Sequence, residues 1–241
     1  MKIKNTLLAI SLASCAFTSI SSANDNPWYV GLSINQADLD SVATQSTAQV
    51  AGVNRTIDIE SDDDTGFGLT FGRTLFTQGN GNALSFELNY SNSEHELEEL
   101  RFMNNVFLAS EGAASGELEV ETILARLKYQ FDLGSFKPYV GLGVGQSDLS
   151  VEALYGMSVG SQVGTQPPFA TGSDSATAIE LRLGVEYQVS DAVGVFLEYA
   201  STDVDDIEFS RRGGGPGGLA TTTQSGDYEF DSLNLGINFR F

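Results

Sequence analysis

The chain is poor in several residue types. Its 241 residues include one cysteine, one histidine, one tryptophan and five prolines. Basic residues number 12 against 32 acidic ones, for a formal charge of −20. A chain this acidic repels nucleic acid, whose phosphates need a basic surface. A lone cysteine leaves no disulfide framework, and a lone histidine leaves little for acid–base catalysis. After the first 23 residues there is no uninterrupted apolar run of about 18 residues, which excludes a helical membrane protein. What is plentiful is glycine, 26 residues, above the usual ~7%. The length is one domain's worth, even for a barrel.

The first 23 residues have the pattern of an export signal. Lys2 and Lys4 form a positive start, Leu7 to Ile20 is an apolar stretch diluted by Ser and Thr, and Ser21-Ser22-Ala23 is a small-residue cleavage site. Residues 1–23 are therefore expected to be removed, leaving 24–241 as a single domain. Removal takes two lysines and no acid from −20, leaving −22. A rival reading uses Leu12-Ala13-Ser14-Cys15 as a lipoprotein box with Cys15 acylated. Cleavage after Ala23 instead leaves no cysteine at all, so no disulfide is needed outside the cytoplasm.

Beyond residue 24 the chain alternates apolar and polar residues eight times, the period of a strand. Trp28, Val30, Leu32 and Ile34 oppose Tyr29, Gly31, Ser33 and Asn35. Later stretches repeat the pattern at 65–75, 83–92, 117–131, 138–146, 176–189, 193–200 and 227–241. Connections alternate too. Residues 36–64, 93–116, 147–175 and 202–226 are long, whereas 76–82, 132–137 and 190–192 are short. That rhythm predicts an all-β, up-and-down antiparallel transmembrane β-barrel of eight strands. Short periplasmic turns, long external loops and both termini on the periplasmic side go with it. A ten-stranded barrel remains open if a loop hides a hairpin, for instance around Thr56-Ile57-Asp58-Ile59.

A soluble lipocalin-like barrel also alternates, with its apolar face inside. Two features favour a lipid-facing apolar side. The polar face carries Glu87, Arg126, Lys128, Glu180, Arg182, Glu186, Glu198 and Arg240, mixed in sign as an internal salt-bridge network is, with nine glycines to make room for them. Glu180 or Glu186 is expected to pair with Arg126 or Lys128, because an unpaired inward charge is costly. Aromatics also fall at strand ends. Trp28, Tyr129, Phe131 and Tyr187 share one rim, and Tyr90 and Tyr199 the other, as two aromatic girdles do at the two interfaces of a bilayer. Arg73 breaks the apolar parity near a short turn, where it can snorkel.

The chain's last strand points the same way. Asn234, Gly236, Phe239 and Phe241 resemble the C-terminal assembly signal of bacterial outer-membrane barrels. The stretches 137–145 and 184–191 resemble strands of the small OmpA/OmpX-like outer membrane protein beta-barrel family, opacity- or porin-like and barrel only. The resemblance implies residence in the outer membrane, contact with its lipid and lipopolysaccharide, and folding by the barrel-assembly machinery. Eight strands enclose a space that side chains alone fill, so the inward charges predict a plug rather than a pore.

No cofactor, metal or catalytic residue is called for. Asp58, Glu60 and Asp62-Asp63-Asp64 gather carboxylates, but their spacing fits no known cation loop and reads as a solvated acidic run. Leu97, Leu100, Met103 and Phe107 have helical spacing. Arg211-Arg212 leads into a glycine-rich stretch that reads as a disordered loop tip, with contact to lipopolysaccharide phosphate as the alternative. The expected function is a non-enzymatic barrel serving envelope structure or surface contact with an extracellular or envelope partner through its acidic loops. The alternative is a narrow channel for small solutes or apolar compounds. A lipid-modifying or proteolytic barrel is the weakest reading, resting on His95 with Ser91 or Ser93.

Overall fold

A computed structural model describes residues 28–39, 42–46, 55–61, 64–104, 110–155, 158–159, 162–163, 170–213 and 220–241. The segment 1–23 and the tip 214–219 lie outside the described residues. Apart from short turns, what is described is strand. The strands are β1 (Trp28–Leu39), β2 (Val42–Ser46), β3 (Arg55–Ser61), β4 (Asp64–Thr77), β5 (Ala83–Asn104) and β6 (Ser110–Gln130). They continue as β7 (Phe136–Tyr155), β8 (Ser158–Val159), β9 (Gln162–Val163), β10 (Ala170–Gln188), β11 (Val193–Gly213) and β12 (Ala220–Arg240).

Every pairing is antiparallel, and β1 closes the barrel on β12. The expected hairpin around Thr56–Ile59 exists, as β2 paired with β3, yet it adds no stave. β2 carries on from β1 and pairs with β12, while β3 runs into β4 and pairs with β5. The count is therefore eight staves, with β8 and β9 forming a separate small ladder between β7 and β10. At the short turns, Gly81 and Gly134 take positive φ, 87° and 83°, which glycine adopts without strain.

The strands are longer than the alternation alone suggested. They run on through much of what reads as long connections, and β5 continues to Asn104. The helical spacing from Leu97 is thus overturned through Met103, and Phe107 lies outside the described residues. In its place β5 pairs with β3 and β6 through that stretch, and those neighbours satisfy its backbone as a strand.

Along β6 the two faces exchange chemistry while parity holds. Near the short turns Ile123 and Leu127 face out and Arg126 and Lys128 face in. Further from the turns Leu118 and Val120 face in, at 0% and 3% exposure, and Glu117, Glu119 and Glu121 face out. The other staves agree. Leu149, Val151, Val204, Ile207 and Tyr228 are buried in the distal interior. The apolar outward belt on β6, residues 123–131, spans about 23 Å at about 3.4 Å per residue and about 40° of tilt. A strand of 21 residues reaches about 55 Å by the same geometry. The distal half is therefore built like a water-soluble barrel, with an apolar inside and an acidic outside.

Candidate functional site

The lumen of the belt half is lined by short polar residues and glycines, into which a few long charged side chains fold. Glu87 on β5 sits at the centre. It receives Lys128 Nζ at 2.8 Å, the Arg182 guanidinium and the Tyr29 hydroxyl. Arg182 reaches on to Glu198 Oε2 at 2.9 Å, which also accepts the Tyr139 hydroxyl at 2.9 Å. Arg126 pairs with Glu180, whose other oxygen lies 4.0 Å from Arg182 Nε. Nearer the rim of the chain ends, Glu186 takes Arg240 and the Asn238 amide, the latter at 2.8 Å. Glu186 thus pairs with Arg240 rather than with Arg126 or Lys128. Four carboxylates meet four cations, so this lumen is neutral.

Aromatic faces hold the cations from the side. Lys128 Nζ lies 4.6 Å from the Tyr29 ring and 5.2 Å from the Tyr139 ring, close enough for cation–π attraction. Glycine supplies the room. A Cβ on Gly141 would meet Arg182 Nε at 2.5 Å, and one on Gly143 would meet Arg126 Cγ at 3.2 Å and Glu180 Cβ at 3.3 Å. The lumen cavity that Glu87, Arg126, Lys128, Glu180, Arg182 and Glu198 line with smaller residues measures about 30 Å³, room for about two waters.

Above this network a hydroxyl chain crosses the barrel. Thr122 Oγ1 lies 2.9 Å from Ser147 Oγ, which lies 2.8 Å from the Tyr228 hydroxyl. Burial pushes that Tyr228 hydroxyl up to about 12, so it stays protonated. His95 Nε2 lies 3.0 Å from Ser93 Oγ, with the two residues 2% and 6% exposed.

The aromatic residues fall at two levels. Trp28 stacks on Phe71 at 5.0 Å, Tyr129 meets Phe131 edge-on at 5.0 Å, and Tyr187 leans on Phe136 at 5.0 Å. At the other level Tyr90 lies 5.9 Å from Phe67 and donates to Glu121 at 2.7 Å, and Tyr199 is exposed. In the last strand Asn234 and Gly236 face the lumen while Phe241 faces out. Phe239 shares the outward parity. Backbone bonds between Phe241 and Trp28, at 2.9 and 3.1 Å, tie the two chain ends together.

Sequence reasoning missed the acidic wall. Its carboxylates stand directly opposite one another across rungs: Glu94 by Glu119, Glu96 by Glu117, Glu121 by Asp148, Asp38 by Asp231 and Asp203 by Glu229. Of the acidic run in the first connection, Asp62 and Asp63 lie outside the described residues. Arg211 and Arg212 lie near the end of β11.

Comparison with known proteins agrees with this architecture. The profile of the outer membrane protein beta-barrel domain matches residues 6–241. Among solved structures, OprG of Pseudomonas aeruginosa is similar, with a TM-score of 0.59 at 16% identity over 92% of this chain and 99% of that one. The outer membrane protease OmpT of Escherichia coli is similar in fold, with a TM-score of 0.56 at 9% identity over 93% and 99% of the two chains. At these identities the likeness is one of fold. No curated protein matches the sequence.

Proposed function

The chain belongs to the outer membrane protein beta-barrel domain family and so sits in the bacterial outer membrane. From that premise we propose a non-enzymatic, non-conducting barrel whose distal acidic wall meets a surface or envelope partner. One observation carries the reading. The mid-lumen is crossed by paired, neutral charges around a cavity of about 30 Å³, too small for a solute. Breaking such pairs to open a path leaves buried charges uncompensated. In this reading both termini are periplasmic and the wall stands outside the cell. Lipopolysaccharide packs against the belt's distal edge, and the strand ending in Phe239 and Phe241 is read by the assembly machinery.

The experiment is conductance in a planar bilayer. The unsubstituted protein is expected to give no discrete steps, and the combined variant Glu87→Ala, Lys128→Ala, Arg182→Ala to give them. Steps from the unsubstituted protein would instead establish the narrow channel. Loss of a lipase or protease activity on His95→Ala would overturn the non-enzymatic reading.

A further inference from the structure

Among the described residues of the apolar belt, one outward side chain is charged, Arg73 on β4. Parity sets its direction. Gly72 beside it faces the lumen, and Arg73 stands exposed between Trp28 on β1 and Phe86 on β5, its two rung neighbours. The guanidinium carbon lies 5.0 Å from the centre of the Trp28 ring. That ring is in turn stacked on Phe71 at 5.0 Å and 26°. Among the described residues Arg73 has no carboxylate partner. The rim's other cations are engaged, Arg240 with Glu186 inside the lumen and Lys137 with Asp132 at 4.0 Å.

A guanidinium carries five N–H donors in one plane and cannot shed its charge. Held over the indole by cation–π attraction, it still has its donor edge to satisfy. Its rung neighbours are apolar, so that edge needs an acceptor from outside the protein. At the level of Trp28, Tyr129, Phe131 and Tyr187 the aromatic girdle marks the interface, and the anionic acceptor found at that depth is the lipid phosphate. The planar fork matches phosphate geometry with two parallel hydrogen bonds. Charge favours this rim over the other. The distal wall repels anions with its opposed carboxylates, whereas among the described side chains Asp132, Glu186 and Asp191 at this rim are balanced by Arg73, Lys137 and Arg240.

We propose that Arg73, floored by Trp28 and flanked by Phe86, is a binding site for the phosphate of an anionic glycerophospholipid in the leaflet at the rim of the chain ends. The site rests on the belt geometry alone and is independent of whether the lumen conducts.

Trp28 is the chain's single tryptophan, so its fluorescence reports the site directly. The full protein is folded into dioleoylphosphatidylcholine vesicles containing a low, equal fraction of dibrominated phosphatidylglycerol or dibrominated phosphatidylcholine, whose bromines quench on contact. The expected result is a roughly three-fold preference of Trp28 for the phosphatidylglycerol, the size of an exposed charge pair. Arg73→Gln abolishes the preference, and Arg73→Lys keeps part of it. Heat-shifted gel mobility verifies that each variant is folded. Equal quenching by both lipids in the unsubstituted protein overturns the proposal. So does a preference that survives in Arg73→Gln, since it would then belong to the rim's general charge. If Arg73→Gln fails to fold, undiminished preference in Arg73→Lys overturns the fork geometry on which the site depends.

Discussion

Arg182 is the residue on which the lumen network turns, because it is shared by Glu87, Glu198 and, at longer range, Glu180. Removing it leaves carboxylates buried with too little positive charge. Arg182→Leu is expected to cost about 3–5 kcal/mol, read as a lower denaturation midpoint in the gel-shift assay for folded barrel. A subtler dependence lies in the glycines. An alanine Cβ at Gly145 runs into the Ile123 carbonyl on the neighbouring strand, and backbone cannot step aside as a flexible side chain can. Gly145→Ala is expected to destabilise by about 1–3 kcal/mol, whereas Gly79→Ala, with open space around it, is near neutral by the same assay. At this scale the sequence was informative. Charged residues of both signs on one parity, with glycines between them, already indicate side chains that fold over one another. The pairing of Glu180 with Arg126 was legible, but the partner of Glu186 was not. Glu186 on β10 meets Arg240 on β12, one stave over and 54 residues on, and which charges meet across an intervening stave is set by the register of three strands together.

The most informative element is β6. Residues 117–121 read Glu-Leu-Glu-Val-Glu and 123–131 read Ile-Leu-Ala-Arg-Leu-Lys-Tyr-Gln-Phe. One period runs through both, but lipid is exchanged for water part-way up. The acids kept the outward parity, so the continuing strand was legible there in retrospect. In β5 the spacing of Leu97, Leu100 and Met103 imitates a helix over too few residues to decide, and only the neighbouring strands select the extended form. The exchange of faces sets up a contrast. Leu118 packs in the distal interior at 0% exposure, and Leu142 faces the belt's exterior at 62%. Leu118→Ala is expected to cost about 2–5 kcal/mol through lost burial and a cavity, and Leu142→Ala much less, by denaturant titration of each variant. The opposed acids offer a gain instead. Glu96 stands across from Glu117, and like charges on one rung repel. Glu96→Lys is expected to stabilise by about 0.2–1 kcal/mol, with the gain shrinking as salt is raised.

For the molecule as a whole, eight staves were countable because alternation, short turns and aromatic strand ends repeat with each hairpin. The height was not, since nothing local marks where the bilayer stops. The charge distribution supplies that mark and also implies a direction. The acids crowd the half far from the chain ends, which in the reading proposed above stands outside the cell. Thiol labelling in whole cells tests direction and height together. The chain's one cysteine, Cys15, lies in the segment expected to be removed, so the background is low. Glu119→Cys, outward on the wall, is expected to react with a membrane-impermeant maleimide on intact cells. Leu127→Cys, outward four rungs' parity lower in the belt and 50% exposed only to lipid in this reading, is expected to resist that reagent and to react with an apolar one. Ser135→Cys, exposed in a short turn, is expected to react with the impermeant reagent only after the outer membrane is broken. Reaction at Ser135 but not at Glu119 on intact cells would reverse the orientation. Impermeant labelling at Leu127 would bring water down to the level assigned to acyl chains and remove the belt itself.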